Sequence, residues 1–382
     1  MTETVHAAET VEQFDARIGQ DHMIGQWTFE PLLNSVIGGP RPLGVGYVWP
    51  WQLARQRLEE ASQALGPAGV GRCNLTFLNP GIERIPKGTT HTISAGVQIM
   101  RAHEVCWSHR HSMSALRFVI EGHPDAYTAV DGEALPMEQF DLILTPRFSW
   151  HDHHNPTGQE IVWLDVLDIG LTMAVNTPFY ETYGQDSQPL RPSPADSQPL
   201  RAGNWLRPTW EQARHSRLPI RYPWSDVAKV LDAYGEVAGD QYEGLALQYV
   251  NPVTGGPTMS TMDCWVQQLA PGFAGRAHRR TSSSIGFVIS GHGSIEVQGT
   301  VLKFGPGDTY AVPNYAWYSL RNDSGEPVRI FSVHDIPAIQ ALGMFYEEPE
   351  PALHAVPAPP VPARPVNPVY RPAAMLDGDE AR

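Results

Sequence analysis

His109-Arg110-His111 and, about 40 residues later, His151-Asp152-His153-His154 are the side chains whose types and spacing could do chemistry. Residues two apart on a β-strand point to the same face. His109 and His111 can therefore face one ion while Arg110 faces away, and His151 would complete three imidazoles. Imidazole suits iron, zinc, copper or nickel, so the donors alone do not choose the metal. A pair of histidines two apart is a weak signal, and structural or surface histidines are the plain alternative. Arg117 follows in an apolar run, where an unpaired charge is costly. A buried salt bridge would satisfy it; so would a bidentate grip on a substrate carboxylate.

These residues need short strands to position them. The 382-residue chain carries 35 Pro and 34 Gly, and 42% of it is hydrophobic. That composition suits packed domains of strands and turns, and the length suits two domains. Apolar runs at 75–78, 90–100, 116–120, 126–130, 142–145 and 161–167 read as strands of a sandwich or barrel, with Asp131-Gly132 as a hairpin turn. Gln52–Leu65 reads as an amphipathic helix ended by Gly66-Pro67, and Met23–Asn34 is apolar enough to pack. The formal net charge of −14 disfavours nucleic acid. No run of 18 apolar residues predicts a membrane span. Three scattered cysteines, Cys73, Cys106 and Cys264, predict a reduced, cytoplasmic setting without disulfides.

The chain repeats itself. Phe140-Asp141, Pro146, His151 and Asn155 recur as Gly307-Asp308, Pro313, Tyr318 and Asn322 with identical spacing. His109-Arg110-His111 is matched by His278-Arg279-Arg280, an internal period of about 170 residues. Two homologous domains follow from this. The second keeps one of three histidines, with Arg280 and Tyr318 at the other two positions, and reads as structural. A shorter repeat, Asp186–Arg191 and Asp196–Arg201, reads as a local duplication in a solvated, Pro-rich linker. The expected boundaries are an N-terminal helical arm at 1–70, a metal-binding domain at 71–182 and a linker at 183–225. A second domain at 226–345 and an extended tail at 346–382 complete the chain.

The two histidine signatures together resemble the cupin family, whose fold is a double-stranded β-helix or jelly roll. The chain thus looks like a mainly β bicupin. HRHSMSALRFVIEG at 109–122, YTAVDGE at 127–133, VWLDVLDI at 162–169 and NPVTGGPT at 251–258 resemble gentisate 1,2-dioxygenase and its salicylate and 1-hydroxy-2-naphthoate relatives. The resemblance implies a metal held by His109, His111 and His151, with Fe(II) as the cofactor. It implies an extradiol-type reaction inserting both atoms of O2 into an ortho-hydroxybenzoate, gentisate or a substituted salicylate, between its carboxyl- and hydroxyl-bearing carbons. Hydroxynaphthoate cleavage and a non-oxygenase cupin activity are the alternatives. Ala115 and Leu116 stand where many cupins have a glutamate ligand, which leaves ion positions open to substrate and O2.

Further roles follow from the same resemblance. Arg117 would bind the substrate carboxylate and Arg72 would be a second anion-binding arginine. His153 would handle protons. Asp165 and Asp168 would orient a ligand imidazole, Arg117 or the substrate. Gln98 would face the site, and Trp107 would line the pocket; plain packing is the alternative for each. Phe140, Phe148, Arg147, His154 and an insertion at His123-Pro124-Asp125 depart from a typical gentisate enzyme and point to a bulkier ring. The expected partners are an aromatic hydroxy acid and O2, with a homo-oligomeric assembly, tetramer or dimer, and neither nucleic acid nor membrane.

Overall fold

The computed structural model describes residues 9–65, 73–83, 88–191, 220–235, 237, 239–252 and 254–350. Arg72 and the second linker copy, Asp196–Arg201, lie outside the described residues. The chain divides into two compact units. One holds the described residues 9–41, with helices Val11–Gln20 and Glu30–Ser35. Thr10 caps the first of these in a reciprocal pairing with Gln13. Met23–Asn34 was expected to pack, yet Met23, Ile24, Leu32 and Leu33 are all more than half exposed.

The other unit, Pro42–Glu350, contains both repeats as antiparallel barrels of two sheets each. In the first barrel, strands Leu142–Thr145, Ala115–Glu121, Ile161–Leu167, Ser94–Met100 and Cys73–Thr76 lie side by side in that order. The facing sheet runs Tyr180–Thr182, Val105–His111, His151–His154, His123–Val130, Glu133–Met137. Asp131 and Gly132 both have positive φ (48° and 84°), the two-residue turn that matches strand twist. The second barrel repeats this order with Thr309–Val312, Ser284–Ser290, Val328–His334, Asp263–Leu269 and Leu245–Gln248 in one sheet.

The barrels exchange their leading segments. Tyr47–Trp49, which precedes the first barrel, pairs with Thr309–Ala311 of the second. Ile220–Tyr222, which precedes the second, pairs with Leu142–Leu144 of the first. Each exchanged strand runs through a proline into a helix, Trp51–Leu65 or Trp224–Ala233. The first helical amide is bound by an aspartate of the barrel next to it in space: Trp51 N donates to Asp308 (2.7 Å), and Trp224 N to Asp141 (2.8 Å). One apolar core runs through both barrels. Phe118 stacks on Phe331 with centroids 4.2 Å apart, and Leu58 of the first helix is fully buried in the same core.

Parts of the expected tail and linker are held by the barrels where they are described. Glu347–Pro349 is a strand paired with His278–Arg280. The first linker copy is pinned to the first barrel: Gln188 is buried, receives no water-facing role, and donates from its side chain to the Ala129 and Trp150 carbonyls. A buried amide can hold such a position only because both carbonyls accept from it.

Candidate metal centre and active site

The facing sheet of the first barrel delivers the histidines. His109 lies opposite His151 in the register of their two strands, and a register shift between Cys106 and His109 adjusts the approach. Trp107 is half exposed, while Cys106, His109 and His111 are buried. One donor atom from each of His109, His111 and His151 falls within 4.8 Å of the others. Ring centroids are 4.1–5.6 Å apart.

Each ring is fixed through its Nδ1. His109 donates to the Trp107 carbonyl at 2.8 Å, His111 to that of Met113 at 2.8 Å, and His151 to that of Ser149 at 3.0 Å. A carbonyl only accepts, so each Nδ1 carries the proton and each Nε2 carries a lone pair. Burial, then the neighbouring His109, Arg117, His111 and His153, hold His151 well below the usual imidazole range, so it is neutral. Its Nε2 is buried without a hydrogen-bond partner among the described residues. A lone pair so placed, beside two others, is what a metal ligand requires and what a packing histidine would avoid. The three residues fit a metal ion.

The other sheet supplies the opposite wall. Arg117 and Asp165 are cross-strand partners, both buried, with Nε 3.7 Å from the carboxylate. Arg117 Nη1 also donates to Thr145. His153 Nδ1 bonds Thr128 Oγ1 at 2.9 Å, and Thr128 in turn donates to Met137 sulfur at 3.4 Å. Gln98 is buried, 3.9 Å from the Cys106 sulfur, and pairs in register with Trp163. The structure thus brings Gln98, Arg117, His153 and Asp165 into the interior that holds the three ligands.

Trp107 lies beside the ligands on their own strand, whereas Asp168 sits elsewhere. Trp107 contributes its backbone carbonyl to His109, and its ring is half exposed. Asp168 is fully buried but binds neither an imidazole nor Arg117. Its carboxylate accepts from Ser114 N (2.9 Å), Thr172, Arg147 and, from the second barrel, Thr261 Oγ1 (2.5 Å). Asp168 therefore ties the barrels together. Trp163 was not singled out from the sequence. Its ring is fully buried 5.1 Å from His153, and its indole N–H has no partner among the described residues. The signal was present: Trp163 and Asp165 are two apart on one strand, hence on one face. Tyr180, on the strand that edges the ligand strand, stacks on His109 at 5.5 Å.

The second barrel has filled the equivalent space. The counterpart of Arg117 is Gly286, and a Cβ there would lie 2.1 Å from the Tyr310 ring. Among the described residues, only the first barrel carries a three-residue cluster able to hold a metal.

Comparison with known proteins agrees with this architecture. The Cupin domain family matches residues 96–167 and 265–334. The chain is 56% identical to a 1-hydroxy-2-naphthoate 1,2-dioxygenase of Nocardioides sp. (strain KP7), over 98% of this chain and 96% of that one. It is 36% identical to a 5-aminosalicylate 1,2-dioxygenase of Comamonas sp. over 84% of this chain and 86% of the relative. A crystal structure of salicylate 1,2-dioxygenase from Pseudoaminobacter salicylatoxidans with gentisate superposes with a TM-score of 0.79 at 27% identity, covering 92% of this chain and 98% of that one. Two cupin barrels, one three-histidine metal site and these relatives together place the chain in the family of ring-cleaving cupin 1,2-dioxygenases.

Proposed function

We propose that the chain is an Fe(II)-dependent dioxygenase acting on a fused-ring ortho-hydroxy carboxylate of the 1-hydroxy-2-naphthoate type. Both atoms of O2 enter the product, and the ring opens between the hydroxyl- and carboxyl-bearing carbons. The 56% identity to the hydroxynaphthoate enzyme carries the choice of ring, against 36% and 30% for 5-aminosalicylate and gentisate enzymes. Gentisate or a substituted salicylate, the first expectation from the sequence, becomes the second reading.

His109, His111 and His151 would hold the iron. When bound, Fe(II) supplies the one-electron chemistry that allows O2 to react with an aromatic ring. The protein supplies the remainder. The carbonyls of Trp107, Met113 and Ser149 hold the three imidazoles in one orientation, with Nδ1 turned to the backbone. Arg117, steadied by Asp165 and Thr145, would grip the substrate carboxylate. His153, held by Thr128, would accept the substrate hydroxyl proton. Gln98 and the Trp163 indole N–H would position the ring.

A homo-oligomer, dimer or tetramer, would cover Met23, Ile24, Leu32, Leu33 and Ile37, which are 56–72% exposed. The three buried free thiols suit a reducing cytoplasm. No described helix is long and apolar enough to cross a membrane.

The test is anaerobic Fe(II) loading followed by O2 uptake and near-ultraviolet absorbance. The substrates are 1-hydroxy-2-naphthoate, gentisate, salicylate and 5-aminosalicylate. The expected result is stoichiometric uptake with the highest kcat/KM on the naphthoate, abolished in His111→Ala. A tenfold preference for a monocyclic acid would select the second reading. Iron-loaded protein that consumes no O2 with any of them would overturn both.

A further inference from the structure

The second barrel has a centre of its own. His278, Arg280 and Tyr318 occupy the positions of His109, His111 and His151, and they converge as their counterparts do. Their meeting point is one oxygen of Glu243. Tyr318 Oη donates to Glu243 Oε1 at 2.6 Å, Arg280 Nη2 lies 3.0 Å from that oxygen, and His278 Nε2 lies 3.3 Å from it. Gln267, the counterpart of Gln98, donates to the other oxygen at 2.7 Å. Glu243 is 3% exposed and His278 1%. Burial alone would raise the Glu243 pKa, but the Arg280 charge and the His278 and Tyr318 hydrogen bonds outweigh it and hold the carboxyl well below its usual range.

We propose that this centre is a carboxylate-binding site whose resident ligand is the chain's own Glu243. The first barrel offers three imidazoles to a cation; the second offers a guanidinium, an imidazole, a phenol and an amide to an anion. A planar group with two oxygens satisfies both ends of the site at once, which a spherical halide cannot. The site will therefore accept a small free carboxylate, formate or acetate, once the side chain of Glu243 is shortened. The inference rests on the second barrel alone and does not depend on the substrate of the first.

The experiment is thermal unfolding of the full-length Glu243→Ala variant across a formate series, with chloride at matched ionic strength. The variant should melt below the parent, and formate should raise its Tm saturably. The parent and Glu243→Gln, in which the space is filled, should not respond. A Glu243→Ala variant that melts with the parent, or that responds to formate no more than the parent does, overturns the proposal. If Glu243→Ala fails to fold, Glu243→Gln, Arg280→Met and their double variant decide. A double variant less damaged than the sum of the two supports a charge bound by its receptor. Additive losses overturn it.

Discussion

Arg117 and Asp165 face each other across a buried pair of strands, and the chemistry proposed for the first barrel leans on that pairing. Arg117→Ala should lower kcat/KM about 100-fold, roughly the 3 kcal/mol expected when one partner of a buried charged contact is truncated. Arg117→Lys should recover only part of this, because an ammonium is a point donor where the guanidinium is a fork. Steady-state kinetics on the iron-loaded protein checks both. A second residue reports on pH. Burial, then the nearby Arg280, pushes His334 down to about 3, so it is neutral in the folded chain. The unfolded histidine titrates near 6.5, so the unfolded state gains protons first as pH falls. The stability His334 contributes is complete above about pH 6.5 and is lost between 6.5 and 3, at about 1.4 kcal/mol per pH unit. His334→Gln should flatten that part of the stability profile relative to the parent in urea titrations. Residue roles were only partly legible in the sequence. His109, His111 and His151 were legible only from the two signatures and the internal repeat taken together. Asp168 was not, because its partner Thr261 is 93 residues away and only the fold joins them.

At the scale of elements, the two halves correct each other's ends. Asp168 of the first barrel accepts from Thr261 of the second, and Asp335 of the second accepts from Thr92 of the first. Asp141 and Asp308 do the same for the helices that begin at Trp224 and Trp51. Asp308→Ala should cost about 1–2 kcal/mol, the usual loss of a helix cap. Amide exchange should show the loss at residues 51–55, far away in sequence. Asp141→Ala should cost more, since it also removes one of the two carboxylates that hold Arg221, whose Nε donates to it at 2.6 Å. Strands such as 142–145 and 161–167 were readable because both their faces are buried and their runs are unbroken. The exchanged strands were not, since three residues carry too little pattern. Their trace in the sequence was the motif Trp49-Pro50-Trp51 and its echo Tyr222-Pro223-Trp224.

For the whole molecule, only the first barrel is built to hold a metal among the described residues, so metal analysis should find one metal ion per chain and none in His111→Ala. Chelation should abolish O2 uptake while leaving most of the far-ultraviolet dichroism intact. The shared core, from Leu58 through Phe118 to Phe331, is apolar and needs no ion to close. Two domains and their repeat were evident from the matched spacings, yet the core between them was not, because periodicity reports one face of a strand and not what covers it.

The exchange of leading strands makes the halves unequal to independent life. A chain severed between 192 and 219 would yield two fragments, each carrying an edge strand that belongs to the other and missing the one it needs. Neither should be soluble by itself, because each would expose an unpaired sheet edge and half of a common core. Produced together, they should find each other and restore ring cleavage. The single chain then behaves as an arm-swapped dimer whose two partners have been joined by a tether.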